Sequence, residues 1–300
     1  MAMEPEFERD FDVPYGLPEQ VSGLVRRIVC RNPGPFTFTG TNTYVVGRGE
    51  VAIIDPGPHD EAHFDALKAA IGGEAVSHIL VTHSHHDHSS LAPRLKALTG
   101  APVHAHGRVA RADEDSGQAL DAGFDLAFHP DFTLRHGDVI AGKDWSLTAL
   151  HTPGHTSDHL ALALEQEKAL FSGDHVMAWS TSIVAPPDGS MADYFASLRL
   201  LLERGEEVYW PGHGGPSRTP QRFLRALIAH RQMREAAILE RIRQGDRIVP
   251  DIVRAVYRDL DPRLHGAAAL SALAHVEHLI AQGKVDCDGP ATLTAILRAA

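Results

Sequence analysis

The sequence predicts an α/β domain followed by a smaller helical domain. Over residues 1–215, short apolar runs alternate with Gly, Pro and Asp, a texture typical of strands joined by loops with occasional helices. Residues 216–300 contain long helical stretches instead. The charge changes at the same place, because residues 1–215 carry 15 Lys and Arg against 30 Asp and Glu, whereas residues 216–300 carry 13 against 9. These observations predict a domain boundary near Gly214.

The elements of the first domain follow from local patterns. Residues 44–46 and 51–54 are β-branched runs separated by Gly47 and Gly49, which predicts a hairpin. Residues 61–71 have helical spacing and stop at a Gly pair. The continuous apolar run 78–82 is typical of a buried strand. We then expect a helix that is capped by Ser89 or Ser90, runs through Leu98 and ends at Gly100, and a second helix over 194–203. Strands are expected at 102–104, 147–150, 160–164, 169–171 and 208–210.

The second domain has the outline of a winged helix. Helices are predicted at 221–243, 249–258 and 266–282, followed by a turn and a strand at 283–285. Its net charge of +4 raises the question of nucleic-acid binding. However, residues 266–282 contain few of the Arg, Lys, Asn and Gln side chains that read bases, so sequence-specific DNA binding is not expected. Two roles for this domain stay open. In one, it packs beside the active site or forms a homodimer contact, and in the other it binds RNA.

Composition excludes several classes of protein. No run approaches the roughly 18 apolar residues of a membrane span, and the first twelve residues are acidic where a signal peptide is basic and then apolar. We therefore expect a cytoplasmic protein with no membrane partner. Cys30 and Cys287 lie too far apart in the sequence to indicate a disulfide framework or a paired-cysteine metal site.

The 20 histidines are the unusual feature of the composition, and four of them stand in one motif. His83-Ser84-His85-His86-Asp87-His88 directly follows the predicted strand 78–82. A loop at a strand end turns several side chains toward one point while the strand holds it in place. At the frequencies of this chain, only roughly 0.007 matches to the pattern His-x-His-x-Asp-His are expected by chance. The motif therefore predicts a metal site.

Three later segments offer matching ligands in similar surroundings. His155 follows Gly154, Asp174 follows Gly173, and His213 follows Gly212, each near the end of a predicted strand where the backbone turns sharply. Imidazole and carboxylate ligands without a thiolate suit Zn²⁺, with Mn²⁺ or Fe²⁺ as alternatives. Four loops at one sheet edge thus predict a site for divalent cations.

Together these motifs resemble the metallo-β-lactamase fold superfamily over about residues 20–215. The resemblance implies a four-layer αββα sandwich that binds two metal ions at the sheet edge. It also implies that Asp174 bridges both ions and that Asp55 lies behind the ligands. The implied ligands of the first ion are His83, His85 and His155, and those of the second are Asp87, His88 and His213.

A pair of divalent cations lowers the pKa of a bound water from 15.7 to about 7, so a bridging hydroxide is the expected nucleophile of a zinc-dependent hydrolase. Asp87 is predicted to accept or relay a proton. His159 is a candidate donor to a substrate oxygen, and Tyr194 is a candidate substrate contact. A structural hydrogen bond for His159 and a core position for Tyr194 are the alternatives.

The substrate follows from resemblance alone. The sequence is similar to the group around β-lactamase-like protein 2, which combines this fold with a C-terminal winged helix, and the shared residues include His230-Arg231 and Arg234-Glu235. This resemblance implies cleavage of single-stranded RNA. A small-molecule thioester, ester or lactone, as in glyoxalase II and the lactonases, is the alternative substrate. A nucleic-acid-binding regulator that uses the metal site as a sensor is the alternative of another class.

Overall fold

One sheet of seven strands forms the first half of the first domain. The computed structural model of the protein describes residues 4–107, 123–258, 260–261 and 264–300. The sheet follows the chain order, with antiparallel pairing from the first strand to the fourth and parallel pairing from the fourth to the seventh. Its strands are β1 (Glu19–Gln20), β2 (Val25–Val29), β3 (Asn42–Arg48), β4 (Glu50–Ile54), β5 (Ala75–Leu80), β6 (Val103–Ala105) and β7 (Phe132–Thr133).

A second sheet has five strands in the order β12-β11-β10-β9-β8. Neighbouring strands are antiparallel except the pair β11 and β12, which is parallel. The strands are β8 (Val139–Ala141), β9 (Ser146–His151), β10 (Leu160–Leu164), β11 (Ala169–Gly173) and β12 (Val208–Pro211).

Helices cover the outer face of each sheet. The α-helices of the described residues are, in chain order, α1 (Glu61–Ile71), α2 (His86–Ser89), α3 (Ala92–Thr99), α4 (Met191–Leu202), α5 (Pro220–Arg243), α6 (Val249–Val256) and α7 (His265–Ala281). Helices α1 and α3 pack on the first sheet, and α4 and α5 pack on the second. A separate apolar layer lies between the two sheets. The four-layer αββα sandwich is therefore confirmed.

The alternation of side chains along β4 shows why both faces of a sheet are buried. Val51 and Ile53 pack against α1, whereas Ala52 and Ile54 face the second sheet. Successive side chains of a strand point to opposite faces, so an unbroken apolar run fits a strand that is covered on both sides. The predicted hairpin is confirmed as β3 and β4.

The C-terminal helices and a terminal hairpin share their own apolar core. Ile238, Ile252 and Leu273 bring α5, α6 and α7 together, and Leu297 adds the hairpin of β13 (Val285–Cys287) and β14 (Leu297–Ala299). The predicted winged-helix arrangement is confirmed. Helix α5 also contributes Leu224 to the core beneath the second sheet, so this helix belongs to both cores. The boundary between 215 and 216 stays a prediction.

One helix start was predicted wrongly. Neither Ser89 nor Ser90 caps a helix running to Leu98, because the segment splits into α2 and α3, and α3 has Leu91 at its N-cap position. The hydroxyl of Ser89 donates to the carbonyl of His85 instead. The short helix α2 contains His86, Asp87 and His88 of the histidine motif, with His85 at its N-cap position.

Four short strands of the first domain were not predicted: β1, β2, β7 and β8. β2 contains two arginines, and the other three have only two or three residues, so their apolar pattern is weak. Among the described residues, no helix has both the length and the apolarity that a bilayer span requires.

Candidate metal centre

The seven predicted ligand side chains meet where strands of both sheets end. The histidine motif follows β5, His155 follows β9, Asp174 follows β11 and His213 follows β12. All seven side chains are buried. The structure thus brings together every residue that the resemblance implied as a metal ligand, and their role as ligands stays a proposal.

Asp55 organises the histidine motif from behind. Its backbone has a φ of 50°, and its Oδ1 accepts a hydrogen bond from the backbone amide of Thr82 at 2.7 Å. Its Oδ2 accepts from the Thr82 hydroxyl at 2.8 Å and from Nδ1 of His88 at 2.9 Å. The hydroxyl of Thr82 lies 3.0 Å from Nδ1 of His83. One carboxylate therefore orients two of the imidazoles.

Three imidazoles form one half of the centre. Nε2 of His83 lies 3.0 Å from Nδ1 of His85, and Nε2 of His155 lies 3.2 Å from the same nitrogen. These three nitrogens lie within 4.8 Å of one another. His155 is oriented by its own Nδ1, which donates to the carbonyl of Ile183 at 2.7 Å.

The other half combines carboxylates with imidazoles. Nε2 of His213 lies 3.3 Å from Oδ2 of Asp87 and 3.2 Å from Oδ2 of Asp174. Nε2 of His88 lies 3.5 Å from Oδ2 of Asp87 and 3.6 Å from Oδ1 of Asp174. Oδ2 of Asp174 is also 3.9 Å from Nε2 of His155. Asp174 therefore lies between the two halves.

The donor set fits divalent cations. Ligand atoms about 2.0–2.1 Å from a tetrahedral ion lie about 3.3 Å apart, and the separations here scatter around that value. Nε2 of His88 and Oδ1 of Asp174 are buried without a hydrogen-bond partner, although such atoms are normally satisfied. In addition, Nδ1 of His213 donates to the carbonyl of Gly40 at 3.1 Å, which leaves its Nε2 to face the centre.

Charges within the centre set the protonation of the metal-free protein. Burial opposes a proton on His213, but the carboxylates of Asp174 and Asp87 outweigh it and raise its pKa to about 10. The same two carboxylates, together with Asp55, raise the pKa of His88 well above its ordinary value against the effect of burial. Although burial disfavours its charge, Asp174 has a lowered pKa because His213 and His88 face it. A cation would replace protons at this centre.

Two of the predicted catalytic residues, His159 and Tyr194, bond to the protein itself, and their catalytic roles stay predictions. His159 is fully buried, its Nε2 accepts from the amide of Asp174 at 3.2 Å, and its Nδ1 lies 2.9 Å from the hydroxyl of Thr152. Both ring nitrogens are thus occupied by the protein, and His159 holds Asp174 in place. Burial keeps the pKa of His159 well below its ordinary value, so the ring is neutral.

Tyr194 lies at the start of α4 and is also fully buried. Its hydroxyl donates to the carbonyl of His175 at 3.0 Å, and its backbone packs closely against Gly154. Tyr194 belongs to the core beneath the second sheet, which agrees with the alternative of a core position, and its contact with substrate stays a prediction.

Asp87 differs from these two residues because it faces a cavity. Its Oδ2 accepts a hydrogen bond from the hydroxyl of Thr41 at 3.3 Å. The predicted proton-relay role of Asp87 stays a prediction.

The cavity has a volume of about 310 Å³ and opens onto the centre. The centre contributes His85, Asp87, His155, Asp174 and His213 to its wall. Aromatic and apolar residues of the first domain, among them Phe36, Met177 and Trp179, form a second part of the wall. The third part comes from the winged-helix domain, including Arg231, Arg234, Tyr257, Leu260 and Leu264. The C-terminal domain thus closes one side of the cavity.

Sequence reasoning did not give Arg231 and Trp179 a place at the site. Trp179 stacks on Phe38 with ring centroids 4.9 Å apart, and nothing in its local sequence indicates this contact. Arg231 stood in the noted His230-Arg231 pair, which is the signal that points to it.

The chain is similar to two known protein families and to proteins of animals and fungi. Residues 36–213 match the Metallo-beta-lactamase superfamily, and residues 249–290 match the Beta-lactamase associated winged helix domain. The Beta-lactamase-like protein 2 homolog of Drosophila melanogaster is 31% identical over 275 residues, which cover 88% of this chain and 90% of the relative. An Atrochrysone carboxyl ACP thioesterase of Aspergillus terreus is 31% identical over 232 residues, which cover 76% of this chain and 66% of the thioesterase.

A solved structure shares the fold over both domains. A metallo-beta-lactamase family protein of Thermus thermophilus superposes with a TM-score of 0.75 at 24% identity. The match covers 93% of this chain and 100% of that protein. At this identity the likeness shows the fold alone.

Proposed function

The chain belongs to the metallo-beta-lactamase superfamily, whose members are generally hydrolases, and from this premise we propose that it hydrolyses a small thioester or ester with an apolar acyl part. The observation that carries the proposal is the cavity that joins the metal centre to an apolar wall. Its volume of about 310 Å³ is at the lower end of the range for small-molecule sites. The similarity to the Aspergillus thioesterase supports the same substrate class.

The proposed centre uses the seven side chains in the roles that the resemblance implied. His83, His85 and His155 hold one ion, Asp87, His88 and His213 hold the other, and Asp174 lies between them. When bound, two divalent cations lower the pKa of a coordinated water to about 7 and polarise the attacked carbonyl. Zinc suits this donor set, with manganese or iron as alternatives.

The remaining steps belong to the protein. Asp87 takes up the proton of the nucleophile on a carboxylate oxygen and passes it to the leaving group. The aromatic and apolar wall, with Phe36, Met177 and Trp179, binds the acyl part and keeps bulk water from the reacting carbonyl. His159 and Asp55 keep Asp174 and the histidine motif in position.

Single-stranded RNA is the second candidate substrate, and the arginines in the cavity wall favour it. Against it stand the acidic balance of the first domain and a small cavity with an aromatic and apolar wall beside the centre. The regulator hypothesis differs from both because it requires binding without turnover. A cytoplasmic location and a homodimer stay predictions.

A substrate screen with matched variants tests the proposal. The purified protein, loaded with zinc or manganese, is assayed against a short acyl thioester, a lactone, a β-lactam and a single-stranded RNA. We expect thioester or ester turnover that His88→Ala lowers by about 100-fold or more. His86→Ala is the control, because His86 belongs to the same motif but is exposed, and its Nδ1 lies near Ser90 and Asp125 instead of the centre.

Turnover of RNA alone, or equal rates for His88→Ala and the unaltered protein, would overturn the proposal. Binding of RNA with an affinity that changes on chelation, without turnover of any substrate, would instead support the regulator hypothesis.

A further inference from the structure

Arg231 is a buried cation without a counter-ion. It lies on α5 in the wall of the cavity, and only 4% of its surface is exposed. One guanidinium nitrogen, Nη2, donates to the carbonyl of Ser182, and the guanidinium carbon lies 5.2 Å from the ring centre of Tyr194. Its Nε has no hydrogen-bond partner, and no carboxylate among the described residues forms an ion pair with it. A buried charge is unfavourable unless something pairs with it.

Arg234 adds a second positive charge to the same wall. It lies 4.9 Å over the ring of Tyr257 and donates to the carbonyl of Val256 at 3.3 Å, and within the described part of the chain it has no acidic partner. The neighbouring carboxylate, Glu235, is occupied by Nδ1 of His275 at 3.2 Å and Nδ1 of His278 at 2.7 Å. Glu235 therefore does not form an ion pair with Arg231 or Arg234.

His230 completes this part of the wall in a neutral form. Burial, together with the charges of Arg234 and Arg231, lowers the pKa of His230 to about 4. It therefore adds no charge at neutral pH but can still donate or accept a hydrogen bond.

Two adjacent residues connect Arg231 to the metal centre. Ser182, which accepts from Arg231, is followed by Ile183, whose carbonyl accepts from Nδ1 of His155. Neighbouring Cα atoms are only about 3.8 Å apart. One end of the cavity therefore presents the centre, adjacent peptide groups connect it to Arg231, and Arg234 lies in the same wall.

We propose that Arg231 and Arg234 form an anion subsite, which binds a carboxylate or phosphate of the substrate while the scissile bond lies at the metal centre. The inference rests on the proposed function and narrows its substrate class to short acyl thioesters or esters that carry an oxyanion. Arginine suits this role because its planar group donates two parallel hydrogen bonds to a carboxylate or phosphate. The winged-helix domain then selects the substrate.

Four substrates separate the two sources of the anion. Glutaryl and valeryl groups have the same chain length but differ in a terminal carboxylate. Each is offered as a thioester of N-acetylcysteamine, which has no phosphate, and of coenzyme A, which has several. An acyl carboxylate as the ligand predicts that glutaryl exceeds valeryl by about 10-fold or more in kcat/KM on both carriers. A carrier phosphate as the ligand predicts the same preference for coenzyme A with either acyl group.

Variants locate the preference in the arginines. Arg234→Gln and Arg231→Lys are expected to lower the ratio of kcat/KM for the preferred anionic substrate to kcat/KM for neutral valeryl-N-acetylcysteamine by about 10- to 100-fold. If the substitutions act only by displacing the Ser182 segment, kcat/KM falls equally for the anionic and the neutral substrate. That result would overturn the inference. Arg225→Gln is the control, because Arg225 is exposed on α5 and lies outside the cavity wall.

A binding measurement keeps the inference testable without turnover. Glutarate and inorganic phosphate are titrated calorimetrically into the unaltered protein, Arg234→Gln and Arg225→Gln. Binding of either anion to the unaltered protein and to Arg225→Gln, but at least about 10-fold weaker to Arg234→Gln, supports the subsite even if no thioester is hydrolysed. Absence of anion binding together with equal turnover of glutaryl and valeryl substrates on both carriers would overturn it, while the proposed hydrolase function would stand.

Discussion

A Cβ atom placed on Gly212 would lie 2.3 Å from Oδ1 of Asp174 and 2.7 Å from Cε1 of His88. Real Cβ atoms do not approach other atoms so closely. The amide of Gly212 donates to the carbonyl of Gly173 at 2.9 Å, so the ends of β11 and β12 are joined at this point. The absence of a side chain at Gly212 therefore allows Asp174 to stand between the two halves of the centre.

Gly212→Ala is expected to displace Asp174 and weaken metal binding by about 10-fold or more, an effect as large as that of losing a group that orients a ligand. Competition with a chromogenic chelator measures the affinity. Gly205→Ala is the control, because no atom lies within 4 Å of a Cβ at Gly205, and its metal affinity should equal that of the unaltered protein. Equal affinity in both variants would contradict the role given to Gly212.

Asp55→Asn tests the carboxylate behind the histidine motif. The backbone of Asp55, with a φ of 50°, also suits asparagine, so the substitution changes charge and hydrogen bonding without backbone strain. We expect metal affinity to fall about 10- to 100-fold, because His88 and Thr82 lose a charged acceptor. The matched control Asp65→Asn alters an exposed carboxylate that pairs with Lys68 and should leave metal affinity unchanged. If the two variants bind metal alike, the positioning role of Asp55 is wrong.

His63 gives the fold a sensitivity to acid that does not involve a predicted metal ligand. It is buried behind the Asp55 loop, and burial lowers its pKa to about 4 from an ordinary value of 6.5. His63 therefore binds a proton below pH 6.5 in the unfolded chain but only below about pH 4 in the folded chain. The free energy of unfolding consequently falls as the pH falls through this window. His63→Gln should reduce the loss of unfolding free energy between pH 7 and pH 5 by about 2 kcal/mol, as measured by urea unfolding. His59→Gln, on the exposed loop nearby, should leave that loss unchanged.

Metal binding should release protons at neutral pH. In the metal-free protein the raised pKa values of His88 and His213 stabilise the fold below about pH 6.5, and for His213 this contribution is lost as the pH rises through about 10. A cation must displace these protons, so metal affinity should increase with pH over the same range. Calorimetric titrations in two buffers of different ionisation enthalpy measure the release, and heats that do not depend on the buffer would contradict it.

The sequence predicted the clustering of the seven side chains better than it predicted the cavity. His83, His155 and His213 could be identified because each follows a strand end beside a turn, a signal that is local in the chain. The split of the helix after His88 was missed because the side chain of Ser89 bonds to a carbonyl instead of capping. Packing between distant segments buries His159 and Tyr194 and places Arg231 in the cavity wall. The local sequence pattern carries no information about such packing.

The central claim is that two cations lie among these seven side chains. Anomalous X-ray diffraction from a crystal grown with zinc tests it most directly. The account predicts two strong peaks, one among His83, His85 and His155 and one among Asp87, His88 and His213, with Asp174 between them. A single peak, or none at this edge of the sheets, would contradict it.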